Sequence, residues 1–262
     1  MKYLFVTGIQ RSGTTALANL LNWHSEIAVC IERYKNLMLG QKFKLFEPEL
    51  FEKENLLDFS NDYTNCTPDH SERFANFYSD LAKKYDGLSY IGDKIPNSYA
   101  RTPAIYQRFP NMKFVFIVRN IEDTACSWQT RAENVKDGWP SSKTAEKAIE
   151  RWNACNTTII SLFEQHPQDV YLVDYNRFFD GDPDVSDEYD SLLKFLDLGK
   201  EAVADDAFRN ARIFYQERVK GKERFLSAQT QDYISENADI ESYKKVLELA
   251  GYQYSSAETK AA

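Results

Sequence analysis

Lys2-Tyr3-Leu4-Phe5-Val6-Thr7, followed without a break by Gly8-Ile9-Gln10-Arg11-Ser12-Gly13-Thr14-Thr15, is the stretch that decides the fold. The apolar hexapeptide reads as a strand, and the glycine-flanked turn after it delivers the chain into a helix that starts near Gly13. Small residues in such a turn let backbone N–H groups point inward. The helix start adds unpaired donors and partial positive charge, so the whole is a cradle for an oxyanion ester.

The spacing, Gly-x-x-x-x-Gly, is that of a phosphate-binding loop, with one decisive substitution. A nucleotide-hydrolysing loop places Lys and then Ser or Thr after its second glycine, because the triphosphate must be neutralised and Mg²⁺ held. Here Thr14 and Thr15 stand in those places, and the loop's cation is Arg11. A strand-to-helix turn with no ligand is the competing reading of a glycine pair alone.

Working outward, the 262 residues suffice for one domain with a sizeable core, and strand-like runs alternate with helical ones. That predicts an α/β fold of three layers, a mostly parallel central sheet flanked by helices. We expect a single domain over residues 1–254 and a small, polar, disordered tail over 255–262, after a helix ending near Gly251. The net charge of −8, from 32 basic and 40 acidic residues, argues against nucleic acid as a partner. Cys30, Cys66, Cys126 and Cys155 are scattered, so neither a metal site nor a disulfide framework is expected. No apolar run is long enough for a membrane span, and a cytoplasmic location is expected.

A second anion site follows from Phe114-Val115-Phe116-Ile117-Val118, a continuous apolar run typical of a central parallel strand. It ends at Arg119, and a helix follows in which Ser127 and Arg131, four apart, share a face. Ligands of open α/β sheets bind at the carboxyl ends of strands, so the three side chains are placed to converge on one anion. A surface ion pair and an ordinary helix-face serine are the alternative.

Gly-Ile-Gln-Arg-Ser-Gly-Thr-Thr resembles the 5′-phosphosulfate loop of sulfotransferases that use 3′-phosphoadenosine 5′-phosphosulfate (PAPS), above all the form seen in tyrosylprotein and related bacterial enzymes. Arg119, Ser127 and Arg131 resemble the same family's 3′-phosphate site. The resemblance covers the framework from residue 1 to about 177. It implies a P-loop-like fold, PAPS as donor with 3′,5′-adenosine bisphosphate (PAP) as product, and no metal. Arg11, Ser12, Gly13, Thr14, Thr15, Arg119, Ser127, Arg131 and Tyr175 would then bind the nucleotide.

Sulfuryl transfer to a hydroxyl or amine needs a base, cations on the migrating group and stabilisation of the leaving phosphate. Glu32, after the strand-like run Ile27-Ala28-Val29-Cys30-Ile31, matches the family's base, and desolvation there is expected to raise its pKa; a solvated strand-end acid paired with Arg33 or Lys35 is the competing reading. Lys94, in Ile91-Gly92-Asp93-Lys94-Ile95-Pro96, matches the Lys-then-Pro element. The histidine that follows this lysine in cytosolic members is absent, which moves the base to Glu32. Arg11 would clamp the sulfonate. His24, His70 and His166 read as structural or solvated.

The apolar segment 34–70, rich in Phe and Leu, is expected to be a lid of short helices over the acceptor pocket, though packing alone would explain it too. Residues 218–222 resemble a loop that some members fold over the 3′-phosphate, though a charged turn explains them equally. The acceptor could be a small molecule, lipid, carbohydrate or peptide. A nucleotide kinase with an altered loop and a non-catalytic PAP-binding protein are the rival functions.

Overall fold

The computed structural model describes residues 1–61, 64–221 and 225–259, with side chains as far as residue 251. Its centre is one sheet of β1 (Lys2–Thr7), β2 (Ile27–Ile31), β3 (Tyr90–Lys94), β4 (Met112–Val118) and β5 (Val170–Asp174). The order is β2-β3-β1-β4-β5 and every neighbouring pair is parallel. β4 is buried along almost its whole length and β2 along all of it, which is why both read as unbroken apolar runs.

Parallel pairing requires crossovers, and helices supply them. In chain order they are α1 (Thr14–Leu21), α2 (Lys35–Leu39), α3 (Lys53–Leu56), α4 (Glu72–Lys84), α5 (Thr102–Arg108), α6 (Ile121–Glu133), α7 (Ala145–Gln165), α8 (Tyr175–Phe179), α9 (Asp187–Phe195), α10 (Ala202–Arg218), α11 (Ala228–Asn237) and α12 (Ile240–Thr259). No helix among the described residues is long and apolar enough to cross a membrane. The helix expected to stop near Gly251 continues to Thr259, because no proline or further glycine follows to break it; residues 260–262 lie outside the described residues.

Segment 34–61 differs from the expected lid. Phe46 and Phe51 are fully buried and stack edge-on or tilted against Phe5 of β1, each at 5.8 Å between ring centroids, with Phe109 joining at 5.0 Å from Phe5. Its aromatic residues therefore extend the core on the face of β1 that carries Tyr3 and Phe5. Tyr63, part of the same expectation, lies outside the described residues.

The chain leaves β1 toward β3 and β2 on one side and later returns to β4 and β5 on the other, so β1 sits at the switch point of the sheet. The register aligns the strand ends: Val6 pairs with Lys94, Ile31 with Lys94, and Val118 with Asp174. One edge of the sheet thus carries the Gly8 loop, Glu32, Lys94, Arg119 and Tyr175, each at or just beyond a strand's carboxyl end.

Candidate active site

The loop after β1 is held by conformation and by stitching. Gly8 and Gly13 have φ of 151° and 101°, and Arg11 is also left-handed at 76°. A Cβ on Gly13 would lie 2.5 Å from ring carbons of Tyr175, so only glycine fits. Ser12 turns its hydroxyl to the Ile9 carbonyl at 2.8 Å, which makes it a strut of the turn. The Gln10 carbonyl accepts from the indole of Trp128 at 2.7 Å, and Asn97 donates its backbone N–H to the Gly8 carbonyl at 2.8 Å. Gly13 caps α1 with no side-chain acceptor, leaving the first-turn donors of that helix to the loop's concave side.

Arg119, Ser127 and Arg131 gather beside this loop, as their spacing predicts. Arg119 is nearly buried, gripped by Asp123 at 2.8 and 3.2 Å, and lies 4.2 Å over the ring of Tyr175. Trp152 donates to the Arg119 carbonyl at 2.9 Å and fixes its backbone. Ser127 Oγ accepts from Arg11 Nε at 3.1 Å, which ties the loop directly to α6. Arg131 is paired with Asp137 at 2.5 and 2.6 Å. Desolvation, then the charges of Arg131 and Arg119, lower the pKa of Arg11, with Asp137 and Tyr175 opposing them. Tyr175 is a packing wall for Gly13 and Arg119, with its ring against both.

Glu32 follows β2 in a left-handed conformation, φ 57°. Its backbone N–H donates to the Lys94 carbonyl at 3.0 Å, while the buried Asp93 carboxylate accepts from the N–H groups of Arg33 at 3.2 Å and Tyr34 at 2.9 Å. Asp93 and Lys94 thus hold the turn from consecutive positions. Burial pushes the Asp93 carboxyl up to about 7, against the pull of those two N–H groups. Lys94 is buried and gives its ammonium to Glu32 Oε1 at 2.9 Å; half-exposed Lys35 takes Oε2 at 2.6 Å.

The expected upward shift of Glu32 is therefore reversed. Burial does oppose its ionisation, but the Lys94 charge and the hydrogen bonds from Lys35 and Lys94 outweigh it and hold the carboxyl below the usual glutamate value. Sequence spacing gave the burial; it did not reveal two ammonium groups on one carboxylate.

A cavity of about 420 Å³ opens beside these groups, with Arg11, Thr14, Thr15, Glu32 and Arg131 in its wall; Lys94, Arg119, Ser127 and Tyr175 are not among its lining residues. Lys35, expected only as an ion-pair partner of Glu32, is also in the wall, and two more lining residues have no counterpart among the sequence expectations: Trp139 and Lys143. Trp139 and Lys143 belong to the loop joining α6 to α7, and Trp139 is sandwiched by Arg131 at 4.6 Å and Lys143 at 4.7 Å from the ring centroid. A Trp-Pro pair followed by Lys, within a loop after the second anion helix, was the available signal. From segment 34–61 only Lys35 reaches the cavity wall.

The histidines stand apart from it. His24 bonds the Gly199 carbonyl at 2.9 Å, and His166 stacks on Tyr106 at 3.8 Å. Lys220 of the 218–222 segment pairs with Asp180 at 2.7 Å, while Lys222 lies outside the described residues.

A parallel sheet with a glycine-held loop at its switch point, Arg119 at the end of the neighbouring strand and Ser127 and Arg131 on the helix after it form an arrangement suited to a ligand with anionic groups. The profile of the sulfotransferase family matches residues 4–202, most of the chain, and the chain belongs to that family of PAPS-dependent enzymes. No curated protein sequence matches it. Among solved structures, the sulfotransferase domain from the Synechococcus PCC 7002 olefin synthase is 16% identical, with 96% of this chain and 94% of that one covered at a TM-score of 0.50. Sulfotransferase STF9 from Mycobacterium avium is 13% identical, with 90% of this chain and 75% of that one covered, also at 0.50. At such identities the likeness is one of fold.

Proposed function

We propose that this enzyme moves a sulfuryl group from PAPS to a hydroxyl of an acceptor, with Glu32 as base and Arg11 and Lys94 stabilising transfer. The observation that carries this reading is the meeting of a carboxylate and the anion loop in one cavity: Glu32 shares its wall with Arg11, Thr14 and Thr15. The residues fit the donor. The loop and the start of α1 suit the 5′-phosphosulfate, and Arg119, Ser127 and Arg131 suit the 3′-phosphate, a group ATP lacks.

In the reaction the acceptor oxygen forms a bond to sulfur as the bond from sulfur to the 5′-phosphate oxygen breaks. The acceptor proton passes to Glu32, and the electron pair of the broken bond leaves on PAP. Arg11 meets charge that grows on the leaving 5′-phosphate oxygen, and Lys94 keeps Glu32 ionised and supplies positive charge beside it. A kinase reading has no cation in the place of the loop lysine, since Thr14 holds it.

Two measurements test the reading. PAP should raise the melting temperature more than ATP does, because a selective ligand stabilises by mass action. Glu32→Gln should keep PAP binding and lose about 10²–10⁴ in turnover, the range for a general base. Full turnover in that variant would remove Glu32 from the role.

A further inference from the structure

Lys143 is a cavity charge without a carboxylate of its own among the described residues. Its ammonium donates to Gln10 Oε1 at 3.0 Å and faces the Trp139 indole. Burial, then the nearby charges of Lys35 and Arg151, lower its pKa; Glu32 opposes them and Arg131 adds to them. A desolvated ammonium among like charges gains more from an arriving anion than a solvated one does. The wall as a whole is lopsided, with Arg11, Lys35, Arg131 and Lys143 against Glu32 alone.

The donor accounts for only part of this charge. On the reading above, its two anionic ends fall to the loop with Arg11 and to the Arg119, Ser127 and Arg131 set. Lys35 opens α2 directly after the base, and Lys143 interacts with it electrostatically from the opposite loop. Both are left for the acceptor.

Glu32 raises a related problem. Both of its oxygens are occupied, and a base needs one of them open to the acceptor hydroxyl. Lys94 is buried against Oε1 and fixed, whereas Lys35 on Oε2 has 36% of its side chain exposed and can turn away. An anion lodged between Lys35 and Lys143 would compete with Glu32 for the Lys35 ammonium.

We propose that Lys35 and Lys143 form an anion subsite for the acceptor, so that the enzyme sulfates a hydroxyl on a small molecule that also carries a carboxylate or phosphate group. Filling the subsite draws Lys35 from Glu32 and opens Oε2 to the acceptor proton. The subsite thereby couples acceptor recognition to exposure of the base, and a neutral acceptor leaves the base covered.

The inference rests on the donor reading, so PAP binding is measured first and separately. Isothermal titration of PAP-saturated protein then compares 4-hydroxyphenylacetate with its neutral counterpart 4-hydroxyphenylacetamide. The acid should bind about tenfold tighter or better, the scale of one hydrogen bond to a charged group. Lys143→Gln should cancel the preference while leaving the PAP dissociation constant within about twofold. Equal binding of the two probes by PAP-loaded protein, or binding of neither, overturns the subsite. A loss of PAP affinity of about tenfold in Lys143→Gln also overturns it, by giving that lysine to the donor. Wild-type protein that takes up no PAP removes the donor reading itself, and the subsite with it.

Discussion

The two flanks of the cavity solve the same problem, holding charge ready, in opposite ways. On the donor flank each cation has its own partner: Arg119 has Asp123, Arg131 has Asp137, and Arg11 has Ser127. On the transfer flank one carboxylate is shared by two ammonium groups, Lys94 and Lys35. On the proposed reading, one-to-one pairing keeps rigid guanidinium forks oriented for the donor's phosphates. Over-compensation of a single carboxylate instead keeps it ionised, and its partners become adjustable parts of the chemistry. Substitutions on the two flanks should accordingly fail in different kinetic terms.

After the loss expected for Glu32→Gln, the largest break is Arg11→Ala. Arg11 lies where the flanks meet, and the charge it faces grows during transfer, so kcat should fall by about 10²–10³. PAP affinity should fall much less, since ground-state binding is shared with the loop amides and α1. Equal losses in kcat and in PAP affinity would move Arg11 into the donor flank. Arg119→Ala and Arg131→Ala should show the reverse pattern: PAP binding weaker by about 10–100-fold, as for lost hydrogen bonds between charged groups. Their kcat at saturating donor should stay near wild type, because the 3′-phosphate is held equally in ground and transition states.

Gly13→Ala tests the backbone that both flanks share. The residue is at φ 101°, and the new methyl would meet the Tyr175 ring at 2.5 Å. Strain of this kind costs about 1–3 kcal/mol, read as a lower melting temperature. Because Tyr175 also backs Arg119, PAP binding should weaken with it. A variant of unchanged stability and PAP affinity would show that the ring can retreat without disturbing Arg119.

The arrangement of the loop and of Arg119, Ser127 and Arg131 was legible in the sequence, and the surroundings of Glu32 only in part. β1 and β2 were readable to the residue because their apolar runs are unbroken, and the loop because Gly8 and Gly13 are needed by its conformation. Arg119, Ser127 and Arg131 were readable because one strand end and one helix face place them together. Trp139 and Lys143 were not, since they sit in an aperiodic loop and gain meaning only from Arg131 and Gln10, which meet them in space. Segment 34–61 stayed open for a related reason. Its apolar density suits a lid or a packed layer equally, and only the contacts of Phe46 and Phe51 with Phe5 decide for the layer.

Glu32 shows the same limit in its charge, and Lys35→Gln gives the smallest but most diagnostic effect. The Glu32 carboxyl is held low, so a reaction needing it ionised keeps its acidic limb below the ordinary glutamate range. Removing Lys35 deletes one attraction and one hydrogen bond while burial remains, so the pKa rises and the acidic limb of kcat/KM moves to higher pH. Lys35→Arg should restore the limb. The stability consequence has a definite sign. A depressed carboxyl contributes stability above its unfolded-state pKa and loses it as pH falls through the folded value. Lys35→Gln should therefore melt below wild type near neutral pH, with the gap closing in acid. A gap that persists unchanged at low pH would mean that Lys35 packs against the site without setting the charge of Glu32, and the contrast between the flanks would then rest on Lys94 alone.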